Sequence, residues 1–275
     1  MMDGNSNSIQ NKSPQQVSVT LIGSGGVATN IGRLLVGNGI KIQQILGRSA
    51  ASTSLLAERL NCPYSLDPAT LNQLSDIYII AVQDKEIPGL TAQLKIPSTS
   101  LIVHTAGGVS IEVFKGHFTN YGVLYPLQTL RRETKELPNI PFYLDGNTQQ
   151  VKSLLKAFCE LASLDYHWAT DQQRIELHIA AVFCSNFTNY LYSLAEQFCA
   201  AKGLHFQTLS PLIQETASRL SREATSASLL QTGPAVRGDA STLEKHMALL
   251  SGSPEAREVY QFLTAKIMDS ELFKY

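Results

Sequence analysis

A β-type run, Val17-Ser18-Val19-Thr20-Leu21-Ile22, leads without a break into Gly23-Ser24-Gly25-Gly26-Val27-Ala28. Few folds accept that junction. A G-x-G-x-x-A turn needs a strand that stops at the first glycine and a helix that starts at the last small residue. The following residues supply the helix, Val27 to Val36, ended by Gly37 and Gly39. A second strand, Lys41 to Leu46, then completes a βαβ unit. Gly23 serves the tight turn, Gly25 lets backbone approach a phosphate, and Ala28 lets helix and strand pack closely. The helix N-terminus offers unpaired N–H groups and the positive end of its dipole to an anion. The expectation is a dinucleotide bound by Gly23, Ser24, Gly25, Gly26, Val27 and Ala28.

The end of the second strand selects the dinucleotide. An acid there bonds the ribose 2′-hydroxyl of NAD, whereas an arginine accommodates the 2′-phosphate of NADP. This chain has Gly47-Arg48-Ser49. A guanidinium fork and a hydroxyl suit a dianionic phosphate, with no carboxylate expected nearby. Arg48 and Ser49 are therefore the expected readers of NADP(H); the bland readings are a solvated arginine and a helix N-cap.

Continuous apolar strands alternate with helices after this unit. Ile77 to Val82 and Ser100 to His104 read as buried strands, with further candidates at Tyr121 to Tyr125, Pro141 to Leu144 and Asp165 to Trp168. A helix fits Thr148 to Ala162. The pattern predicts an α/β fold, a doubly wound, mostly parallel Rossmann sheet covered on both faces. Its character changes near Ala169. Thr170-Asp171-Gln172-Gln173 has the form of a capping box, opening a single helix to Lys202. Further helices fit Ser210 to Glu223 and a final one near Thr242, announced by Ser241-Thr242-Leu243-Glu244. The expected organisation is a flexible tail over 1–16, an NADP-binding domain over 17–169 and an all-α substrate and dimerisation domain over 170–275.

Composition excludes several classes. A net charge of −1 and an apolar fraction of 44% leave no basic stripe for nucleic acid. The longest apolar runs fall far short of the ~18 residues a membrane span needs, and the Asn- and Ser-rich start lacks the apolar core of a signal peptide. The four cysteines form no C-x-x-C pair and no metal cluster, as expected of reduced, mostly buried cysteines in a cytoplasmic protein.

In a doubly wound sheet the ligand lies outside the carboxyl ends of the strands. Val82-Gln83-Asp84, His104-Thr105-Ala106-Gly107-Gly108 and Tyr125-Pro126-Leu127-Gln128-Thr129 should meet there. Val82, Gln83, Asp84, Thr105 and Ala106 are expected to line the cofactor, Gln128 the substrate. His104 could donate a proton to a substrate, or bond only to backbone. On a regular helical wheel, His178, Ser185, Asn186 and Asn189 lie close together. His178 and Asn186 are then catalytic candidates and Asn189 a substrate contact in the cleft between domains, against a plain helix–helix role. Arg237, in Gly233-Pro234-Ala235-Val236-Arg237-Gly238-Asp239, could clamp a carboxylate or form a structural ion pair. His246 on the last helix joins the substrate set.

With these residues assembled, the chain resembles the broad superfamily of pyrroline-5-carboxylate reductases, ketopantoate reductases and 6-phosphogluconate-type dehydrogenases. More closely, it resembles a bacterial family of Rossmann-like NADP oxidoreductases with a C-terminal domain of unknown function. The matching residues are His104-Thr105-Ala106-Gly107, Tyr125-Pro126-Leu127-Gln128-Thr129, His178 with Ala181-Val182-Phe183, and Asn186-Phe187. They continue through Gly233 to Asp239 and His246. The resemblance implies a homodimer built through the helical domains. One departure stands out. Hydroxyacid dehydrogenases of the superfamily carry a catalytic lysine on the long helix, and this chain has none between Asp171 and Ala201. An imine or another acceptor needing little proton donation fits the remaining groups better. The expected activity is hydride transfer between NADP(H) and a small polar, imine or carboxylate-bearing substrate. The alternative is a non-catalytic NADP(H)-binding sensor or assembly protein.

Overall fold

The structure, a computed structural model, describes residue 9, residues 12–223 and residues 226–273. Eight strands among them form one sheet: β1 (Ser18–Ile22), β2 (Lys41–Leu46), β3 (Tyr64–Ser65), β4 (Ile77–Ile80), β5 (Leu101–His104), β6 (Tyr121–Pro126), β7 (Phe142–Gly146) and β8 (Tyr166–Trp168). Their order is β3-β2-β1-β4-β5-β6-β7-β8. Only β6 and β7 run antiparallel. From β1 the chain moves outward to β3, then returns to build β4 onward on the other side. That reversal places a crevice at the carboxyl ends of β1 and β4.

Strand periodicity sorts side chains onto two cores. Val19, Leu21, Ile77, Ile79, Leu101 and Val103 enter one cluster, beneath α1 (Gly26–Gly37), α2 (Ala50–Leu60) and α4 (Gln149–Leu161). Ile22, Tyr78, Ile80, Ile102, Val123 and Tyr125 enter the other, with residues of the short α3 (Ile87–Thr91). Each fully buried aliphatic side chain contributes about 1.5–3 kcal/mol, and β4 carries apolar side chains on both faces.

The expected tail is shorter than sixteen residues. Ile9 is buried in the first core, and Lys12 Nζ lies 2.5 Å from Asp76 Oδ1. The remainder of that tail, residues 1–8, 10 and 11, lies outside the described residues. The helix expected from Thr170 to Lys202 is divided into α5 (Asp171–Ala181), a π-helical turn (Val182–Phe187) and α6 (Thr188–Ala201). Its start is the predicted capping box, with Thr170 Oγ1 accepting from the Gln173 N–H. The chain separates into two compact units, Met1–Val182 and Phe183–Tyr275. The division falls later than Ala169 because the first turns of α5 belong to the sheet unit. Fully buried Arg174 bonds the Ala169 carbonyl at 3.1 Å and the Val109 carbonyl at 3.3 Å, and pairs with Asp171.

The second unit adds α7 (Ser210–Glu223), α8 (Ala240–Leu249) and α9 (Pro254–Asp269) to α6. The helix near Thr242 is therefore not the last. Pro254 at the first helical position begins α9, a start the sequence does signal. Asp239, rather than Ser241, caps α8, accepting from the Thr242 N–H at 3.1 Å. Cys159 and Cys199 are buried as expected, whereas Cys184 is exposed. No helix among the described residues is long and apolar enough to cross a membrane.

Candidate functional site

The glycine turn is built from both its neighbours. Gly23 has φ +123°, and a Cβ there would lie 2.2 Å from the Ala81 carbonyl oxygen of the β4 end. Its N–H donates to the Leu46 carbonyl of β2 at 2.7 Å. Only glycine holds that position. Gly26 meets a second constraint, since its Cβ would lie 2.2 Å from the Leu130 carbonyl oxygen. Gly25 is the opposite case. It is the N-cap of α1 with no side chain capping the helix, and a Cβ there would meet nothing within 4 Å among the described residues. That side chain is missing where protein does not need the room, which is the cradle a phosphate requires. Ala28 is fully buried, and half-buried Val27 packs against the first core. The turn fits a dinucleotide.

A band of hydroxyls joins this turn to the next. Ser24 Oγ and Ser52 Oγ lie 2.8 Å apart, and Thr53 Oγ1 is 3.4 Å from Ser24 Oγ. Ser49 is the α2 N-cap in position, but its side chain makes no capping bond. Arg48 extends into solvent, 84% exposed. One expectation is corrected here. A carboxylate does stand near Arg48, because the turn after β4 brings Glu86 Oε2 to 3.7 Å. An exposed pair of this kind contributes at most about 1 kcal/mol, so a dianionic phosphate can displace it.

The carboxyl ends of β4, β5 and β6 assemble the rest. Gln83 and Asp84 are exposed and Val82 half-buried. Thr105 is turned inward, its hydroxyl donating to the Ile80 carbonyl at 3.1 Å, and Ala106 is buried beside it. His104 departs from the proton-donor role. It is fully buried against Phe114, ring centroids 5.5 Å apart. Its Nδ1 accepts from the Ala106 N–H at 3.3 Å. Burial and the nearby Arg174 cation hold its pKa down at about 4. A neutral, enclosed imidazole cannot reach a substrate.

The buried histidine does carry a pH signature. Its folded pKa lies below the unfolded value of 6.5, so the unfolded chain binds the extra proton as pH falls. Stability should therefore drop between pH 6.5 and 4, by roughly 3 kcal/mol for a shift of this size. Denaturant melts at pH 7 and 4.5 should show His104→Gln losing that part of the slope; an identical slope in the variant would refute it.

The remaining pair is buried Tyr125 and exposed His178. Tyr125 Oη lies 3.1 Å from His178 Nδ1, with the rings edge to face at 6.3 Å. Gly107 makes room for the phenol, since a Cβ there would lie 2.8 Å from Tyr125 Cζ. Gly108 is open beside it, its Cβ position 3.7 Å from Asp84 Oδ2 and 3.6 Å from Ile175 Cδ1. Burial, then Asp84 and Tyr143, push the Tyr125 pKa up. The phenol is a proton-bearing group at neutral pH, and His178 is exposed to solvent. Arg174 decides this placement. It fixes the first turn of α5, where Asp171 also accepts from Ser110 Oγ and from the Ile111 N–H at 3.1 Å. His178 follows one turn later on the same face. Hydrogen bonding to Ser110, Ile111 and Arg174 holds the Asp171 carboxyl below its usual range, against the opposing effect of its burial.

Other expected residues are used locally. Gln128 spends both ends of its amide on its own loop, Nε2 to the Asn139 carbonyl at 3.1 Å and Oε1 from the Thr129 N–H at 2.8 Å. In the helical unit, Asn186 and Asn189 are exposed. The wheel that groups them with His178 assumes 3.6 residues per turn throughout, and the π turn removes that assumption. Arg237 is exposed and helps hold the Asp239 carboxyl low, after the bonds from Thr242. His246 Nδ1 lies 2.7 Å from Tyr260 Oη, joining α8 to α9. Tyr125, Arg174 and Arg132, whose Nη2 donates to the Ser24 carbonyl at 2.7 Å, were not singled out by sequence. Tyr125 stood within a motif at a strand end, so the signal was available; the arginines gave none.

Residues 1–129 match a family described as a Rossmann-like domain, and residues 140–267 match the domain of unknown function DUF2520. A crystal structure of a "putative NADP oxidoreductase" from Bacteroides fragilis is 32% identical, with a TM-score of 0.86 over 94% of this chain and all of that one. This chain belongs to that family. A Rossmann-like domain followed by DUF2520 is thus its established make-up. Beyond the family, the fold recurs in a 1-pyrroline-5-carboxylate reductase from Streptococcus pyogenes, 15% identical with a TM-score of 0.61 over 92% of this chain and 98% of that one. It recurs also in a reductive aminase from Aspergillus terreus solved with NADPH, 16% identical with a TM-score of 0.63 over 91% and 92%. No curated protein matches the sequence.

Proposed function

We propose that this DUF2520 protein is an NADPH-dependent reductase acting on a small polar acceptor, an imine or a carbonyl compound bearing a carboxylate. The observation that carries the reading is the Tyr125–His178 pair, 3.1 Å from Oη to Nδ1. It stands at the same carboxyl end of the parallel sheet as the glycine turn and Arg48. The NADP oxidoreductase name of the Bacteroides fragilis relative and the NADPH held by the Aspergillus terreus aminase support the choice of cofactor.

The turn from Gly23 to Ala28 would hold the pyrophosphate on backbone N–H groups, and Arg48 with Ser49 would hold the 2′-phosphate. Bound nicotinamide supplies the hydride. Tyr125 Oη then delivers the proton to the reduced nitrogen or oxygen, and His178, open to solvent, returns one to Tyr125 Oη. This relay takes the place of the lysine absent between Asp171 and Ala201. A homodimer is part of the proposal. Phe183, Phe187, Tyr190, Phe262 and Met268 leave apolar surface of the helical unit exposed, more than isolated surface residues require.

Calorimetric titration tests the cofactor. The native chain should bind NADPH at least about 10-fold tighter than NADH, a ~1.4 kcal/mol preference, and Arg48→Ala should bring the two affinities together. Absent NADPH binding, or a preference that survives Arg48→Ala, would sink the assignment.

A further inference from the structure

We propose that Arg132 closes the phosphate site, its guanidinium supplying the counter-charge to the cofactor's pyrophosphate. The inference rests on the NADPH reading above and adds a residue from outside the βαβ unit to it. The glycine turn contains no charged side chain from Gly23 to Ile31. It offers a phosphate N–H groups, the Ser24 hydroxyl and about half a charge from the helix dipole, but no full positive charge. Arg132 lies beside it, with Nη2 donating to the Ser24 carbonyl oxygen at 2.7 Å.

The segment that carries Arg132 is tied down over the start of α1. Buried Asn30 donates through Nδ2 to the Gly26 carbonyl at 2.8 Å and to the Arg131 carbonyl at 2.9 Å. Arg33 donates to the Thr134 carbonyl at 2.5 Å and to the Lys135 carbonyl at 2.6 Å. The Leu130 carbonyl abuts Gly26 so closely that no side chain fits between them. One arginine of α1 is thus spent on holding this loop, and the loop presents another arginine to the turn.

Local electrostatics oppose that arrangement. A cation near a helix N-terminus faces the positive end of the dipole and is disfavoured. The Ser24 carbonyl accepts one bond from it. An anion at the helix N-terminus reverses the balance, because the guanidinium and the N–H groups then converge on it, and a guanidinium fork matches a phosphate edge. Arg48 would serve the 2′-phosphate and Arg132 the pyrophosphate, one arginine for each charged group.

The test is calorimetric titration of the native chain, Arg132→Ala, Arg132→Gln and Arg131→Ala with NADPH and with 2′-AMP, alongside thermal melts. Arg132→Ala should bind NADPH about 10-fold more weakly and 2′-AMP unchanged. Arg132→Gln keeps a donor for the Ser24 carbonyl without the charge; it should melt like the native chain and bind NADPH as poorly as the alanine variant. Arg131 is paired instead with Glu133 at 3.8 Å, so Arg131→Ala should stay within about twofold of native. Native-like NADPH binding by Arg132→Gln, or an equal loss in Arg131→Ala, would overturn the proposal while leaving the cofactor reading intact. Failure of the native chain to bind NADPH would remove both.

Discussion

Tyr125→Phe should lower kcat for NADPH oxidation by about 100-fold or more, the usual contribution of a general acid, while leaving NADPH affinity as it is. The removed oxygen is the one 3.1 Å from His178 Nδ1, and the ring that fills the space over Gly107 remains. Packing should therefore survive. A panel of small cyclic imines and 2-oxo acids supplies the acceptor. His178→Ala should also fall, because it removes the exposed group that returns a proton to buried Tyr125. The pH profile separates chemistry from structure: Tyr125→Phe should lose the limb assigned to the proton donor. A variant with native turnover on the panel, or a native chain that oxidises NADPH with none of these acceptors, would defeat the proton-relay proposal.

Gly25→Ala should cost about 50- to 100-fold in NADPH affinity with almost no change in Tm. The backbone at Gly25 is extended, φ −81° and ψ −172°, and a Cβ would touch no atom of the described residues within 4 Å. Folding has no objection to alanine there. A phosphate against that backbone does, and overpacking of this kind costs about 2–3 kcal/mol. Gly26→Ala is the paired control. Its Cβ would press on the Leu130 carbonyl at 2.2 Å, so the melting temperature should fall, by ~2–4 °C for each kcal/mol lost. Unchanged NADPH affinity in Gly25→Ala would show that no phosphate approaches the turn.

The two glycines mark how much was legible beforehand. Adjacent in sequence and alike in a motif, they differ in what surrounds them. The motif points to a dinucleotide at residues 23–28 because turn, strand and helix are local, set by dihedral preferences and periodicity within about thirty residues. The same locality made the apolar strands and the capping box at Thr170 readable. Residue 130 is more than a hundred positions from Gly26, and no local pattern announces that its carbonyl seals one glycine and leaves the other open.

His104 failed as a proton donor for a related reason. Strand-end histidines look alike in sequence, and whether one faces solvent depends on its register in the sheet and on what covers that face. Here Phe114 covers it. Glu86 near Arg48 is the same lesson, since 38 residues separate a pair that the adjacency of β1 to both β2 and β4 brings to 3.7 Å. The π turn from Val182 to Phe187 is a local event that propensity alone does not reveal.

The sequence by itself determined the α/β sheet unit, the helical unit after it, the glycine turn and the arginine at the end of the second strand. These follow from periodicity, glycine stereochemistry and the fixed spacing of a βαβ unit. Only the tertiary structure decided which groups stand together at the sheet's carboxyl end. It paired Tyr125 with His178 through the anchor of Arg174, withdrew His104 into the core and brought Arg132 to Ser24. Those pairings depend on contacts between residues far apart in the chain, and such contacts are settled by packing rather than by any local preference.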